Sequence, residues 1–205
     1  MIIRQEQFGN MANNAYLIVD EETNESALVD CPEASAKMYD LIGSENLKYI
    51  LLTHGHYDHI GGVKEIKESY GASVVISNED EPMLNSSKLS LAAFVGEQQN
   101  YADADIIVNN GDVLELGSLK IEVISTPGHT AGSVCYKVDN ALFTGDTLFY
   151  CSCGRTDFPT GSNEQMLSSL RLIKNLDGVF FVYTGHDKTS NLPFERKNNP
   201  YMKNL

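Results

Sequence analysis

Thr53-His54-Gly55-His56-Tyr57-Asp58-His59 puts three imidazoles and a carboxylate into six consecutive positions, after the apolar run Tyr49-Ile50-Leu51-Leu52 and before Gly61-Gly62. Neutral imidazole and carboxylate suit zinc and divalent iron. His54 and His56 stand two apart, so on an extended segment they project to the same side. Asp58 and His59 follow where the chain must turn and start a helix, so they can face a second point. One short loop can therefore supply ligands to two neighbouring metal ions.

A single histidine is more often a surface or satisfied core residue than a ligand. This chain has five in all. The two outside the cluster are His129, in Thr126-Pro127-Gly128-His129-Thr130, and His186, in Thr184-Gly185-His186-Asp187. Each ends a strand-like run beside a glycine, where loops place functional groups. No histidine is left over for an ordinary role, and the set points to a metal site.

Periodicity supplies the frame. Ile2–Phe8, Ala15–Val19 and Ala27–Asp30 read as an antiparallel meander with a polar turn at 20–25. A helix is predicted from Pro32-Glu33 to about Ile42, with Gly43 as its C-cap. Tyr49–Leu52 is a short buried strand that delivers the histidine loop. Apolar residues at 60, 63 and 66 predict one amphipathic helix over Ile60–Tyr70 ending at Gly71, with Asp58 beside its positive end. Strand Ala72–Ile76 and a short helix Asn78–Leu84 follow. Asn85–Asp105, with Leu89, Leu91, Phe94, Val95 and Tyr101, lacks a clean period and is expected to form helical pieces over the site mouth. Two hairpins come next: Val113–Leu116 with Leu119–Ser125, which leads to His129, and Ser133–Val138 with Ala141–Thr144, which leads to Asp146. Helix Asn163–Lys174 and strand Val179–Tyr183 complete the pattern, the latter leading to His186. Helix, sheet, sheet and helix imply a layered α/β sandwich.

The length of 205 residues fits one domain, 1–205, and 42% apolar residues mark an ordinary globular chain. A formal charge of −13 counts against nucleic acid, whose phosphates need a basic track. The N-terminus carries no export signal and no stretch approaches 18 apolar residues, so a cytoplasmic protein without membrane attachment is expected. Cys31, Cys135, Cys151 and Cys153 show neither zinc-ribbon nor redox spacing and are expected to be reduced packing residues.

The H-x-H-x-D-H signature with its distant ligand loops resembles the metallo-β-lactamase superfamily over nearly the whole chain. Gly145-Asp146-Thr147-Leu148-Phe149, Gly154-Arg155-Thr156-Asp157-Phe158-Pro159 and Asn199-Pro200-Tyr201 are most similar to its short glyoxalase II-like hydrolases. The resemblance implies a four-layer αβ/βα sandwich with metals at one edge of the sheets. It implies that His54, His56 and His129 hold one ion, that Asp58, His59 and His186 hold a second, and that Asp146 bridges them. Two divalent ions are expected, zinc first, with iron or manganese as alternatives. Water activated between them would cleave a thioester or related acyl bond, with Asp58 also orienting the nucleophile or shuttling its proton. Thr53 and Thr130, which flank ligands, are expected to fix imidazole orientation. Arg155 either clamps a substrate carboxylate or pairs with Asp157.

The resemblance has edges. Glyoxalase II proper grips glutathione with a C-terminal helical domain, whereas nineteen residues follow His186 here. Arg155 and Asp157 fall near the places of a Lys and a Tyr that hold glutathione there, and Lys188 near another such Tyr. A small-molecule thioester, possibly glutathione-linked, is the expected partner. Cys153–Phe158 and His186-Asp187 also resemble persulfide dioxygenases, which use one iron on the equivalents of His54, His129 and Asp146. A non-catalytic, metal-stabilised binding module is the third alternative.

Overall fold

The computed structural model describes residues 1–205 apart from 101 and 204; Tyr101, grouped above with the 85–105 segment, lies outside the described residues. The first half builds one sheet. β1 (Ile2–Phe8), β2 (Asn13–Val19) and β3 (Glu25–Val29) form the antiparallel meander, with Ile3 opposite Ile18 and Leu17 opposite Leu28. α1 (Ala36–Ile42) crosses to β4 (Asn46–Leu51), parallel to β3. α2 (Tyr57–Ile60) and α3 (Val63–Tyr70) cross to β5 (Ser73–Ser77), parallel to β4. A 3-10 turn at Glu81–Asn85 and α4 (Ala92–Val95) lead to β6 (Ile106–Val108), parallel to β5 at the sheet edge.

The second half builds another sheet. β7 (Val113–Leu116), β8 (Leu119–Ser125), β9 (Val134–Val138) and β10 (Ala141–Gly145) run antiparallel in sequence order. A small ribbon, β11 (Leu148–Phe149) with β12 (Ser152–Cys153), precedes α5 (Asn163–Lys174). β13 (Phe181–Thr184) returns parallel to β10, and β14 (Ser190–Asn191), α6 (Leu192–Asn198) and α7 (Pro200–Lys203) follow.

Strand alternation sorts the apolar residues into three cores and so fixes four layers. Tyr16, Ile18, Val29, Leu51 and Val75 face Val123, Tyr136 and Phe143 of the other sheet. Their neighbours Leu17, Leu28, Ile50 and Val74 face Met38, Ile42 and Ile66 of the first helical layer. Cys135, Leu142 and Val182 face Met166, Leu170 and Ile173 of α5.

Three sequence expectations shift. The first helix starts at Ala36 rather than Pro32-Glu33, because Cys31 is engaged at both backbone groups: its N–H donates to His59 O and its carbonyl accepts from Gly62 N–H, at 2.8 and 2.9 Å. The helix read as Ile60–Tyr70 is two helices. Segment 32–34 crosses at Gly61-Gly62 so closely that a Cβ on either glycine would strike its backbone. The helix expected over Asn78–Leu84 is the tighter turn at Glu81–Asn85, with Pro82 in its first positions.

Two tyrosines pin the sheets together near the ends that carry the histidine loops. Tyr136 of β9 donates its hydroxyl to Leu52 O at 2.8 Å, and Tyr16 of β2 donates to Thr184 O at 2.8 Å. Both rings are buried. Burial drives both phenols well above their ordinary value. Tyr136→Phe leaves the buried Leu52 carbonyl without its hydroxyl donor, and Tyr16→Phe removes one of two side-chain donors to Thr184 O, the Asn14 amide being the other. Each change is expected to cost about 1–2 kcal/mol and to lower Tm by roughly 2–8 °C in thermal unfolding followed by circular dichroism.

Candidate metal centre

β4 ends inside the core, and the chain stays extended through His54 and His56 before α2 begins, with His56 at its N-cap position. Asp58 and His59 lie in the first turn of α2. His129 sits between β8 and β9, Asp146 directly after β10, and His186 directly after β13. The parallel register of β10 and β13, with Gly145 opposite Thr184, puts Asp146 and His186 side by side. Gly185 N–H donates to Gly145 O at 2.8 Å. A Cβ at Gly185 would fall on Asp146 Oδ1, so that position admits only glycine without a shift.

All seven sequence-predicted ligands converge. Three groups each bring their ligand atoms within 4.8 Å of one another: His54, His56 and His129; His54, His59 and Asp146; Asp58, His59 and His186. Asp146 lies between the outer two. Its Oδ2 is 3.5 Å from His129 Nε2 and 3.4 Å from His186 Nε2, and its Oδ1 is 3.5 Å from His59 Nε2. His56 Nδ1 approaches His129 Nε2 to 2.9 Å. His54 Nε2 and Asp146 Oδ1 are buried with no hydrogen-bond partner in the protein. Buried polar atoms are seldom left unpaired. Inward-aimed lone pairs of this kind, from imidazole and carboxylate, fit divalent metal ions.

The far nitrogen of each ring shows which lone pair is free. His59 Nδ1 donates to Asp30 Oδ2 at 2.8 Å, His129 Nδ1 to Arg155 O at 2.7 Å and His186 Nδ1 to Met11 O at 3.0 Å. Thr53 Oγ1 donates to Asp30 Oδ2 at 2.8 Å, so its lone pairs can take the Nδ1–H of His54, 3.1 Å away. These four rings therefore turn Nε2 to the centre. His56 turns Nδ1 inward instead, and its Nε2 is buried without a partner.

Thr53 thus does orient an imidazole. Thr130 does not: its hydroxyl donates to the buried Asp80 Oδ2 at 2.7 Å. Asp80 also accepts from Gly55 N–H at 3.0 Å and Gly132 N–H at 2.9 Å, and so ties the His54–His56 loop to the His129 loop. Sequence reading passed over Asp30, Asp80 and Asn13, whose amide donates to Asp58 Oδ2 at 2.8 Å. The one signal available was that Asp30 ends a strand at the edge where His54 emerges.

Burial pulls His54 well below the ordinary imidazole value and His56 down to about 3, with neighbouring imidazoles adding to it. Burial acts the same way on His59, but Asp30, Asp146 and Asp58 outweigh it and carry that ring up to about 9. At His186 burial is outweighed by hydrogen bonds to Asp146 and Asp58, and the value rises to about 11. Burial would raise Asp58 and Asp146, yet His59 and His186 hold both below the usual carboxylate range. Cations entering here displace protons.

A cavity of about 810 Å³ opens over the centre. His56, Asp58, His129, Asp146 and His186 form its floor. Leu91, Phe94 and Val95 of the 85–105 segment stand at its wall, as the expected helical pieces over the mouth. Tyr57 N–H holds that segment through Ser90 O at 2.9 Å. Arg155 also lines the cavity, with its guanidinium closed on Asp157 by two contacts of 2.6 Å.

A family model, the metallo-beta-lactamase superfamily, matches residues 9–186. A hydroxyacylglutathione hydrolase of Pelagibacter ubique is 37% identical over 180 residues, covering 86% of this chain and 67% of that protein. Among solved structures, the BLEG-1 B3 metallo-beta-lactamase superposes with a TM-score of 0.92 at 28% identity, covering 98% of this chain and 99% of that one. TTHA1623, solved in a di-iron-bound form, superposes with a TM-score of 0.85 at 27% identity, covering 97% of this chain and 99% of that one.

Asp30→Asn keeps the shape of the buried acid but removes the charge behind His59. Metal affinity is expected to fall roughly 10–100-fold in competition with a chromophoric chelator, with far-ultraviolet circular dichroism unchanged. Loading metal into chelator-treated protein is expected to raise Tm, and renewed chelation to reverse it.

Proposed function

Because the chain belongs to the metallo-β-lactamase superfamily, we propose that it is a metal-dependent hydrolase of thioesters or related acyl compounds, hydroxyacylglutathione hydrolase-like in its chemistry. His54, His56 and His129 would hold one divalent ion, Asp58, His59 and His186 a second, and Asp146 would reach both; zinc is the first choice, iron or manganese the alternatives. The observation that carries this reading is the position of Asp146, within 3.5 Å of His129 on one side and of His59 and His186 on the other. Ions held there supply Lewis acidity, polarising an acyl carbonyl and lowering the pKa of water.

The chain's own groups do the rest. Asp58 lines the cavity, is kept ionised by His59 and His186, and has one oxygen fixed by the Asn13 amide. It is placed to orient the attacking water and to take its proton. The water oxygen bonds to the acyl carbon, the carbon–sulfur bond breaks, and the proton ends on the departing sulfur. A thiolate with an ordinary pKa of about 8.5 needs little acid assistance. Phe94, Phe149 and Phe158 give the cavity an apolar wall.

The acidic surface, with formal charge −13, favours a small substrate over nucleic acid. No helix among the described residues is long and apolar enough to cross a membrane.

The test is metal content together with turnover. Protein purified without added metal is expected to carry two divalent ions per chain and to release thiol from S-lactoylglutathione or a simple acyl thioester. Asp58→Asn is expected to lower kcat by about 10²–10⁴-fold, and His56→Ala to lose one ion. One iron per chain with oxygen uptake on glutathione persulfide, and no thiol release, would overturn the hydrolase in favour of a mononuclear-iron dioxygenase.

A further inference from the structure

The cavity wall carries a specificity that the metal ligands do not explain. Apart from the floor, it is made chiefly of Met11, Leu91, Phe94, Val95, Phe149 and Phe158. Three of these are unusually exposed for apolar side chains: Phe94 at 68%, Val95 at 54% and Met11 at 47%. A single exposed apolar residue means little, but a group of them rimming a polar floor marks a binding surface.

Charge is distributed in the opposite sense to what a glutathione conjugate needs. Glutathione brings two carboxylates and one ammonium. Among the described residues, the one lysine or arginine in the cavity lining is Arg155. Its Nε and Nη2 each lie 2.6 Å from a different oxygen of Asp157, and its guanidinium carbon lies over the Phe158 ring, 4.0 Å from the ring centre. Those two donors are taken by Asp157, so Arg155 meets the cavity beside a carboxylate that offsets its charge. Lys188, the other cation near the family's glutathione contacts, sits over the Tyr150 ring at 3.8 Å and is not part of the lining.

We propose that the site takes neutral thioesters with an apolar acyl group, aliphatic or aryl, in preference to glutathione conjugates, and that the Arg155–Asp157 pair sets this choice. The proposal rests on the thioesterase reading above. The acyl chain lies against Phe94, Val95 and Phe149, and its carbonyl faces the histidines. Hydrolysis itself is unchanged: water adds to the acyl carbon, and the thiol leaves with the water's proton.

The experiment uses metal-loaded enzyme and follows thiol release from acetyl, butanoyl, hexanoyl and octanoyl esters of N-acetylcysteamine, with S-lactoylglutathione alongside. Each buried methylene is expected to raise kcat/KM by about fourfold until the cavity is filled, with the hexanoyl ester ahead of S-lactoylglutathione. Phe94→Ser is expected to reduce the octanoyl-to-acetyl ratio severalfold. Asp157→Asn, which frees the Arg155 fork, is expected to raise kcat/KM for S-lactoylglutathione severalfold. In a parallel arm, calorimetry compares two thioethers that cannot be hydrolysed, S-hexyl-N-acetylcysteamine and S-hexylglutathione; the neutral one is expected to bind more tightly. Thioester turnover that is flat with acyl length, or that favours S-lactoylglutathione, overturns this inference and leaves the thioesterase standing. No turnover of any thioester overturns the thioesterase reading. In that case tighter binding of the neutral thioether still supports the apolar specificity of the cavity, and equal or weaker binding removes it.

Discussion

An imidazole has two nitrogens, and a buried one that offers a lone pair inward leaves its other nitrogen in need of a partner. That need shapes four of the five histidines here, while His56 Nε2 stays buried without one. His59 spends its outer nitrogen on Asp30, His129 on the carbonyl of Arg155, and His186 on the carbonyl of Met11. Each acceptor comes from a different stretch of chain, so the site cannot be assembled by the ligand loops alone. Asp30 shows the cost. It is a buried carboxylate, and it holds the Thr53 N–H, the Thr53 hydroxyl and the His59 ring together. Without those donors a charge at that depth would be strongly unfavourable. With them it fixes the start of the histidine loop and the tautomer of a ring six residues further on.

The division between what the sequence revealed and what it hid follows from this. The inward-facing groups were legible because local covalent geometry dictates them: a two-residue spacing on an extended segment, a helix start, a glycine beside a histidine at the end of a strand. All seven meet in one place. The outward-facing partners were not legible, because tertiary contact chooses them. Asn13 reaches Asp58 across 45 residues of sequence and Asp80 reaches Gly132 across 52. No periodicity encodes such a pairing. Thr130 is the instructive case: adjacency to His129 suggested a contact with the ring, but the hydroxyl satisfies the buried Asp80 instead. Satisfying a buried charge outweighs tuning a neighbour.

The fold divides in the same way. Strands with clear alternation fell where expected, and so did α5, whose apolar spacing is regular and whose N-terminus is capped by Ser162. One misread element is a helix that another segment crosses. Gly61-Gly62 breaks a helix whose periodicity runs straight through, because the backbone of residues 32–34 occupies the space a side chain would need. The short β11, β12 and β14 have two residues each, too few for any pattern to show.

The walls of the cavity follow a different logic from its floor. The residues that carry the floor loops are bound into the sheets: Gly185 N–H to Gly145 O, Thr53 O to Val134 N–H, Tyr16 to Thr184. A change there propagates into both layers. Phe94 and Val95 ride on a four-residue helix flanked by Leu91 and Gly96 in left-handed backbone, and one anchor of this segment is the Ser90 carbonyl on Tyr57 N–H. Few contacts constrain their side chains, so substitution there costs the fold little. Arg155 lies between the two regimes: its carbonyl fixes His129, while its side chain faces the cavity beside Asp157. Its backbone therefore supports a histidine of the candidate metal centre while its guanidinium stands at the cavity, which is why replacing the partner Asp157, rather than Arg155 itself, would separate the two without disturbing His129.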